Sequence, residues 1–362
     1  MCETEIVVAG AGIWGCTVAR VLAESGKKVL VLEKRSVVGG NVRCETDEET
    51  GIELHTYGSH IFHTHLPEVW KFISRFAEFN GYQHKVLASF KGRMYSLPLG
   101  LAMINKFFGV ELKPCEVDAF MKDEVRSSAL FDAFFRGYTS KQWGRPPESI
   151  DPSIIRRVPV RSNYDTNYFN DCNQGIPAAG YNSVFEKMLD HPNITVECGR
   201  PFVLNDLPLF GDATVFYSGP IDALFGYAFG YLPWRTLRFE REVLDMPDYQ
   251  GTAVVNYTEA EVSYTRIHEF KHYHPEGFFD GAWGFQSKKT VIMREYPATW
   301  KPGDEPYYPV DCDESRALLL KYQKEAGKYP NLVIGGRLGG YKYYDMDKSI
   351  ASALETVEAF LK

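Results

Sequence analysis

Residues 7–41 read VVAGAGIWGCTVARVLAESGKKVLVLEKRSVVGGN, and this stretch predicts the fold of the chain. An apolar run at 6–9 predicts a short strand, which leads into Gly10, Gly12 and Gly15 in the pattern G-x-G-x-x-G. Glycines at this spacing let the backbone turn tightly and approach a pyrophosphate, which binds at the N-terminus of the following helix. The order of strand, glycine turn, helix and second strand predicts a dinucleotide-binding unit of the Rossmann type.

The second strand of this unit is followed at once by an acidic residue. Glu33 lies 23 positions after Gly10, close to the roughly 20 residues that separate such a turn from a ribose-binding carboxylate. The chain continues through Lys34 to Gly40 and Asn41 in the pattern E-x-R-x-x-x-G-G. That continuation is typical of FAD-binding proteins rather than of NAD dehydrogenases, so we expect these residues to bind FAD.

Length, charge and cysteine usage limit the class of protein. The chain has 362 residues, more than one ordinary hydrophobic core accommodates, so we expect two or three lobes. Its net charge of −7 opposes nonspecific binding to nucleic acid, and no nucleic-acid partner is expected. The seven cysteines are odd in number and lack a C-x-x-C pair, which indicates reduced thiols in the cytoplasm. No apolar run approaches the roughly 18 residues that cross a bilayer, so no membrane span is predicted.

Further strands are predicted far apart in the chain, at 193–197, 213–217 and 332–334, and residues 348–362 have helical periodicity. We therefore predict an α/β fold: an FAD-binding Rossmann-like domain built from distant segments, a small helical domain and an antiparallel β-sheet domain. The predicted ranges are 1–66, 191–235 and 331–362 for the FAD-binding domain, 67–150 for the helical domain, and 151–190 with 236–330 for the antiparallel sheet domain, which carries the substrate.

The central part of the chain is predicted to contain helices at 67–80 and 115–138. In the second helix, four aromatic residues at i, i+3, i+4 and i+7 define one apolar face, for which packing is a better explanation than a subunit contact. These residues are Phe131, Phe134, Phe135 and Tyr138. Alternating residues at 253–269 and 290–296 predict antiparallel strands.

Clusters of arginine, lysine and aromatic residues lie outside the glycine turn. They occupy 141–144, 156–170, 264–266, 306–309 and 337–345. Guanidinium groups bind phosphate through two-pronged, charge-assisted hydrogen bonds, and tyrosine supplies a stacking face and a hydroxyl. Each arginine taken alone is better explained as a structural or solvated charge. Their joint occurrence, however, predicts a pocket for a nucleoside diphosphate that carries a sugar.

The stretch GSHIFHTH at 58–65 places three histidines close together. No carboxylate or thiolate pattern accompanies them as in zinc sites, so no metal is predicted. We instead expect His60 and His63 to lie against the isoalloxazine ring of FAD. No nucleophile elbow or paired-carboxylate pattern indicates a hydrolase, so the cofactor is expected to carry the chemistry.

At these motifs the chain resembles the prokaryotic UDP-galactopyranose mutase family nearly end to end. The resemblance rests on GAGIWG, VLEKRSVVGGN, YGSHIFHT, FFRGYTSKQWG, RRVPVRSNYDTNYFN, YSGPID, YTRIHE, EPYYPV and GGRLGGYKYYDMD. It implies interconversion of UDP-galactopyranose and UDP-galactofuranose on reduced FAD, without net redox change. It also implies that flavin N5 attacks the anomeric carbon and forms a flavin–sugar iminium adduct, and that an unidentified reductant supplies the electrons.

The resemblance implies a role for each matching residue. Arg157 and Arg266 would clamp the diphosphate, and a mobile loop near 152–162 would close over the UDP-sugar. His63 would lie nearest the N5 chemistry. The other substrate contacts would be Trp143 at the sugar, Tyr168 on uracil with Phe169 and Asn170 beside it, and the hydroxyls of Tyr308 and Tyr343. The other cofactor contacts would be His60, Gly219, Arg337, Asp345 and Met346.

One region departs from the family pattern. Between 109 and 134 the family has a longer helical insertion that contributes to a homodimer contact, so the geometry of a homodimer, and its existence, stay open for this chain.

Three alternatives to this activity remain. A sister mutase on UDP-N-acetylgalactosamine or a deoxy-sugar nucleotide would need only a few different sugar contacts, because one pocket contact is worth about 1–3 kcal/mol. An amine-oxidase-like flavin oxidoreductase would leave the paired arginines without a ligand. A noncatalytic nucleotide-sugar binding protein would leave FAD without a purpose.

Overall fold

The computed structural model describes residues 4–149, 160–274 and 288–362. The described residues form a five-stranded sheet, a seven-stranded sheet and two pairs of short strands. Arg157 and most of the loop predicted near 152–162 lie outside the described residues.

The five-stranded sheet is parallel and joins the N-terminal, middle and C-terminal segments. Its order is β16 (Leu332–Ile334), β10 (Thr214–Tyr217), β1 (Ile6–Ala9), β2 (Val29–Glu33) and β9 (Ile194–Cys198). The two strands β1 and β2 are almost continuously apolar and buried, as parallel strands covered on both faces require. Helix Ile13–Glu24 packs on this sheet and against helix Met346–Leu361. The predicted Rossmann-like α/β fold is confirmed.

The carboxyl ends of these strands lie along one edge of the sheet. Gly10 follows β1, Glu33 ends β2, Ser218 follows β10 and Gly335 follows β16. In open parallel sheets, ligands bind outside the carboxyl ends of the strands, where helices leave in opposite directions. This edge therefore brings together the segments that were predicted to hold the cofactor.

The seven-stranded sheet is antiparallel except for one parallel pair. Its order is β15 (Tyr308–Pro309), β11 (Trp234–Leu244), β14 (Thr290–Thr299), β13 (Arg266–Glu269), β12 (Val254–Tyr257), β6 (Val86–Phe90) and β7 (Arg93–Leu97). The parallel pair joins β12 to β6. Strands β6 and β7 lie in the range 67–150, which the sequence predicted as helical only. That expectation needs correction, because the hairpin extends the antiparallel sheet.

The predicted helix 115–138 is divided into several pieces. A π-helical segment, Asp132–Arg136, interrupts it and changes the direction of the side chains that follow. Phe134 is buried against Phe90, Tyr95 and Phe107, whereas Phe135 lines a cavity on the other side. The prediction of a single apolar face was therefore wrong, since the sequence gives no sign of the extra residue in the turn.

The remaining elements are short. The other strands are β3 (Cys44–Thr46), β4 (Glu53–His55), β5 (Phe62–Thr64) and β8 (Asn173–Gly175). The other α-helices are Pro67–Ile73, Leu101–Phe108, Val117–Met121, Glu124–Phe131, Gly137–Trp143, Gly180–Leu189, Ile221–Leu224, Asp313–Ala326 and Gly336–Gly339. The 3-10 helical segments are Gly40–Val42, Pro114–Glu116, Pro147–Ser149, Leu204–Phe210 and Phe270–Tyr273. The helix predicted at 67–80 thus ends early. Within the described ranges, no helix is both long and apolar enough to cross a membrane.

Candidate active site

A cavity of about 870 Å³, here called the central cavity, runs from the carboxyl edge of the five-stranded sheet to the seven-stranded sheet. The structure brings most of the predicted site residues to its wall. They are Gly10, Gly12, Glu33, Lys34, Gly40, Asn41, His60, His63, Trp143, Tyr168, Phe169, Gly219, Arg266, Tyr308, Arg337, Tyr343, Asp345 and Met346. Residues separated by hundreds of positions in the chain therefore share one site.

Of the predicted site residues that the structure describes, two do not line the central cavity. Gly15 is the last residue of the glycine loop (residues 10–15), and a Cβ atom there would overlap the carbonyl oxygen of Gly10. It permits close packing of helix on strand rather than contact with a ligand. The exposed Asn170 instead accepts a hydrogen bond from Arg161 through its side-chain oxygen. Its place beside uracil stays a prediction.

The glycine loop leaves space and free donors for an anion. Gly12 begins helix Ile13–Glu24, and its lack of a side-chain cap leaves the first backbone N–H groups without that partner. A Cβ on Gly40 would lie 2.8 Å from the Cα of Gly12, so the two backbones meet closely. The first turn of the helix contains no acidic residue. The loop and helix end therefore fit a pyrophosphate.

Glu33 is buried, at 4% exposure, at the end of β2. Its Oε2 accepts a hydrogen bond from the backbone N–H of Ala11 at 2.8 Å, and its Oε1 accepts one from Arg35 at 2.9 Å. Each carboxylate oxygen can accept a second hydrogen bond, so Glu33 keeps capacity for ribose hydroxyls while it braces the glycine loop. Arg35 also donates to Asn41 at 2.8 Å and forms a 2.9 Å ion pair with Glu305.

The two predicted histidines line the cavity in different surroundings. The backbone N–H of His60 donates to Nδ1 of His55 at 2.9 Å, and burial lowers the pKa of the His60 imidazole to about 4. His60 is therefore neutral near pH 7. His63 has its Nδ1 2.7 Å from the carboxylate of Asp171 and stacks on Phe169 with the ring centroids 3.6 Å apart.

Arg266 lies in a network of buried charges on the seven-stranded sheet. It is directly opposite Glu295 in the pairing of β13 with β14, and its Nε lies 3.4 Å from Oε1 of that residue. The guanidinium also donates to the hydroxyl of Tyr138. Burial opposes both charges, but their mutual attraction raises the pKa of Arg266 and lowers the pKa of Glu295. Glu295 also accepts a hydrogen bond at Oε1 from the hydroxyl of Thr265 at 3.2 Å, and its Oε2 lies 3.1 Å from Nε2 of His268.

Two tyrosines face this network from the C-terminal part of the chain. The rings of Tyr308 and Tyr343 stack with centroids 5.5 Å apart. Arg337 lies beside both rings and donates to the backbone oxygens of Tyr307, at 3.0 Å, and Tyr344, at 2.8 Å. Arg337 thus orients the tyrosine pair. We call Arg266, Glu295, Tyr138, Tyr308 and Tyr343 the arginine–tyrosine wall.

Trp143 closes the wall at the end of helix Gly137–Trp143. Buried Arg235 holds this helix end by donating to the backbone oxygens of Gln142, at 2.8 Å, and Lys141, at 3.0 Å. The ammonium of Lys141 donates to three backbone oxygens between residues 257 and 264, at 2.8, 2.8 and 2.9 Å. Burial lowers the pKa of Lys141 to about 8. Lys141 and Arg235 therefore position Trp143 rather than contact a phosphate.

Several residues of the site have no sequence signal of their own. Glu295 is visible as the partner of Arg266 only after the strand register is known. Asp171 becomes a partner of His63 only through the pairing of β5 with β8. His84 lines the cavity although it belongs to no motif. Tyr138 was predicted for core packing, yet its hydroxyl contacts Arg266.

One buried group of metal-ligating residues needs a separate explanation. Ligand atoms of Cys44, Glu53 and His55 lie within 4.8 Å of one another. However, Nδ1 of His55 accepts a backbone hydrogen bond, so the neutral ring carries its proton on Nε2 and offers no lone pair there. Glu53 is 3.1 Å from Nε2 of His274. Hydrogen bonds to neighbouring groups account for the positions of His55 and Glu53 in this cluster.

Comparisons with known proteins agree with the geometry. A model of the family described as UDP-galactopyranose mutase matches residues 133–343, and a model of the NAD(P)-binding Rossmann-like domain matches residues 8–76. The chain is 40% identical to a probable UDP-galactopyranose mutase of Klebsiella pneumoniae, over 100% of this chain and 96% of that protein. It is 37% identical to a dTDP-fucopyranose mutase of Escherichia coli, over 99% of this chain and 98% of that protein.

Solved structures agree on the fold. A crystal structure of reduced UDP-galactopyranose mutase superposes with a TM-score of 0.70 at 17% identity, covering 99% of this chain and 95% of that one. At that identity, the likeness concerns the fold alone.

Proposed function

Because the chain belongs to the UDP-galactopyranose mutase family, we propose that it interconverts UDP-galactopyranose and UDP-galactofuranose without net redox change. The family makes it an enzyme of the isomerase class. The proposal concerns the particular substrate, the cofactor and the role of each residue.

The observation that carries the proposal is the continuity of the central cavity. One end has the glycine loop and Glu33, which fit a dinucleotide, and the other end has Arg266 with the stacked Tyr308 and Tyr343. A guanidinium and tyrosine hydroxyls suit a diphosphate, whereas an amine or apolar substrate would leave Arg266 without a ligand. A dinucleotide and a nucleotide sugar can therefore meet in one cavity.

We propose FAD as the cofactor. The backbone N–H groups at the start of helix Ile13–Glu24 would receive its pyrophosphate, and Glu33 would accept from its ribose hydroxyls. In its reduced form this group supplies a nucleophilic N5 for the anomeric carbon of the sugar. His60 and His63 would border the flavin ring, and neutral His60 adds no positive charge there.

The arginine–tyrosine wall would hold the substrate. Arg266 would bind the diphosphate together with Arg157, and the hydroxyls of Tyr308 and Tyr343 would donate to it. Tyr168 would stack on the base and Trp143 would border the sugar. These contacts would keep UDP close to the sugar while the glycosidic bond is broken, so that it can return at a high effective concentration.

Three further parts of the proposal concern the surroundings of the enzyme. An external reductant would be needed once, because the reaction returns the cofactor to its starting state. The six described cysteines are all free thiols, which supports a reducing compartment such as the cytoplasm. A homodimer stays open and is tested by light scattering.

The test is a panel of nucleotide sugars incubated with dithionite-reduced and with oxidised protein, with products separated by chromatography. We expect UDP-galactofuranose to be converted to the pyranose by the reduced protein only. Turnover by fully oxidised protein would rule out the role of reduced flavin. Stoichiometric consumption of substrate and oxygen would indicate an oxidoreductase instead.

A second candidate is a mutase for a dTDP-linked deoxy-sugar. It is favoured by the 37% identity to the dTDP-fucopyranose mutase, which is close to the 40% identity to the Klebsiella protein. The same panel decides between the two, because it includes dTDP-fucopyranose. We expect a higher kcat/KM for the UDP-sugar, and the opposite order would establish the second candidate.

A further inference from the structure

His63 and Asp171 form a pair at the wall of the central cavity. His63 lies on β5, which pairs with β8, and Asp171 lies two residues before β8 begins. This register brings Nδ1 of His63 to 2.7 Å from Oδ2 of Asp171. The side chain of His63 is 15% exposed and that of Asp171 is 19% exposed, so both groups are largely shielded from solvent.

Asp171 acts from behind the histidine. It does not line the central cavity, whereas His63 does. Its second oxygen, Oδ1, lies 3.3 Å from Nδ1 of His65, whose side chain is 65% exposed. The carboxylate therefore joins a cavity histidine to a surface histidine, and any effect of Asp171 on a bound molecule passes through His63.

The ring of His63 is also held on its flat side. Phe169 stacks on it at 3.6 Å with an angle of 13° between the planes, and His84 lies on Phe169 at 5.5 Å and 25°. Burial lowers the pKa of His84 to about 3, with the charge of Arg266 as a further cause, so His84 stays neutral. The groups that face His63 are thus Asp171 on the edge, Phe169 on the face and neutral His84 beyond it.

We propose that Asp171 is a positioning residue that keeps the proton of neutral His63 on Nδ1 and thereby presents the lone pair of Nε2 to the central cavity. A carboxylate accepts hydrogen bonds but does not donate them, so the Nδ1–H form is the one that satisfies both groups. The same arrangement orients imidazoles in other enzymes, where a carboxylate selects the tautomer without touching the substrate. The catalytic consequence rests on the proposed function; the tautomer does not.

The first test is the tautomer itself. Holoenzyme labelled with ¹⁵N-histidine is observed by long-range ¹H–¹⁵N NMR above the titration of the ring, and a His63→Gln variant assigns the signals. We expect the wild-type ring to carry its proton on Nδ1. In Asp171→Asn the amide can either donate or accept, so the Nε2–H form should become populated. Asp212→Asn, the same change on an exposed residue away from the cavity, should leave the spectrum of His63 unchanged. An Nε2–H tautomer in the wild type would overturn the proposal.

The second test is the activity of the same variants. We expect kcat of Asp171→Asn to fall by roughly ten- to a hundredfold with KM nearly unchanged. Losses of this size are typical when the hydrogen-bond partner that orients a functional histidine is removed. The flavin content and melting temperature of Asp171→Asn should match those of Asp212→Asn. An unchanged kcat would overturn the positioning role. If no protein, wild type included, converts a nucleotide sugar while the Nδ1–H signal is present, then the proposed function fails and the tautomer assignment stands.

Discussion

The glycine loop and the arginine–tyrosine wall occupy opposite ends of one cavity, but they are held in different ways. The glycine loop is a continuous segment whose shape follows from backbone contacts, such as the 2.8 Å hydrogen bond from Gly10 N–H to Leu32. Gly15 in this loop and Gly40 packed against it are both needed, because a Cβ on either would meet backbone of the loop. The wall is assembled from helix Gly137–Trp143, β13, β14, β15 and the segment after β16, and its charged groups are satisfied largely by one another.

Because of this difference, substitutions in the two regions should have different effects. A larger side chain in the glycine loop acts on the backbone, so it affects cofactor binding and folding together, unless it points into open space. A change in the wall removes one partner of a buried network, so it affects substrate chemistry and leaves the distant cofactor end intact. The buried charges of the wall also make its stability depend on pH, since their protonation states are maintained by their neighbours.

Gly15→Ala and Gly12→Ala should separate folding from cofactor binding within the glycine loop. The new Cβ at position 15 overlaps the oxygen of Gly10, so we expect at least about 1–3 kcal/mol of destabilisation and loss of the dinucleotide. At position 12 the nearest atom is the Cα of Gly40 at 3.7 Å, so the protein should fold but lack the cofactor, because the methyl group enters the cavity. Thermal unfolding and bound-flavin absorbance measure both effects. A Gly12→Ala protein with full cofactor content would contradict the predicted place of the pyrophosphate.

Arg266→Ala should lower kcat/KM by roughly a thousandfold, because it removes a charged donor from the proposed diphosphate site. The cofactor content should stay normal, since the change lies in the wall. Arg266→Lys keeps a positive charge beside Glu295 but loses the two-pronged hydrogen bonding of the guanidinium. Relative to Arg266→Ala, it should therefore recover stability more than activity. The control is Arg238→Ala on β11, whose exposed side chain pairs with Glu240 outside the cavity. Loss of flavin from Arg266→Ala would mean that the two ends are not independent.

His84 should make the folded protein less stable as the pH falls below about 6.5. Burial lowers the pKa of His84 to about 3, so between pH 6.5 and that value only the unfolded chain binds the proton. Stability therefore rises with pH in this window, with a slope of at most about 1.4 kcal/mol per pH unit for this group. Replacing His84 by Gln should flatten the dependence of the unfolding free energy on pH relative to wild type, since the remaining groups are common to both proteins. If the plots of unfolding free energy against pH are parallel for the two proteins, the lowered pKa of His84 is contradicted.

Glu305→Gln should have the smallest effect. Glu305 pairs with Arg35 at 2.9 Å and with Lys34 at 3.3 Å at the rim of the cofactor end, and Lys34 is 58% exposed. Exposed ion pairs contribute about 0–1 kcal/mol, and because the Arg35 and Glu305 side chains are only 17% and 33% exposed we take the upper end of that range, so the Kd of the cofactor should rise by roughly fivefold. The difference from wild type should shrink in high salt. Glu240→Gln, which breaks a surface pair elsewhere, should not change flavin release measured by fluorescence.

The cofactor half of the fold was predictable because its signals are local. The glycine spacing, Glu33 and the strands at 6–9, 213–217 and 332–334 are all readable from neighbouring residues, and the structure confirms the strands to within a residue or two. The hairpin of β6 and β7 was missed because its short alternating strands lie between helices. The π-helical segment was missed because one extra residue in a helical turn changes neither the composition nor the spacing of the apolar residues in the sequence.

The candidate site was predictable as a set of residues but not as a set of contacts. The sequence supplied the cationic and aromatic clusters, and the fold brings most of them to the central cavity. It did not supply Glu295, Asp171 or His84, because each matters through a partner on another strand. It also predicted Asn170 in the site, where the structure shows an exposed side chain that accepts a hydrogen bond from Arg161 and does not line the cavity.

The sequence by itself determined the dinucleotide-binding unit and the chemical character of the second site, since glycine geometry and guanidinium chemistry depend on residue type and spacing. Only the tertiary structure decided which charges meet. Strand register set Glu295 against Arg266 and Asp171 against His63, and a partner a few ångströms away fixes the charge or proton position of a buried group. Such partners lie 29 and 108 positions apart in the chain, beyond the reach of any local pattern.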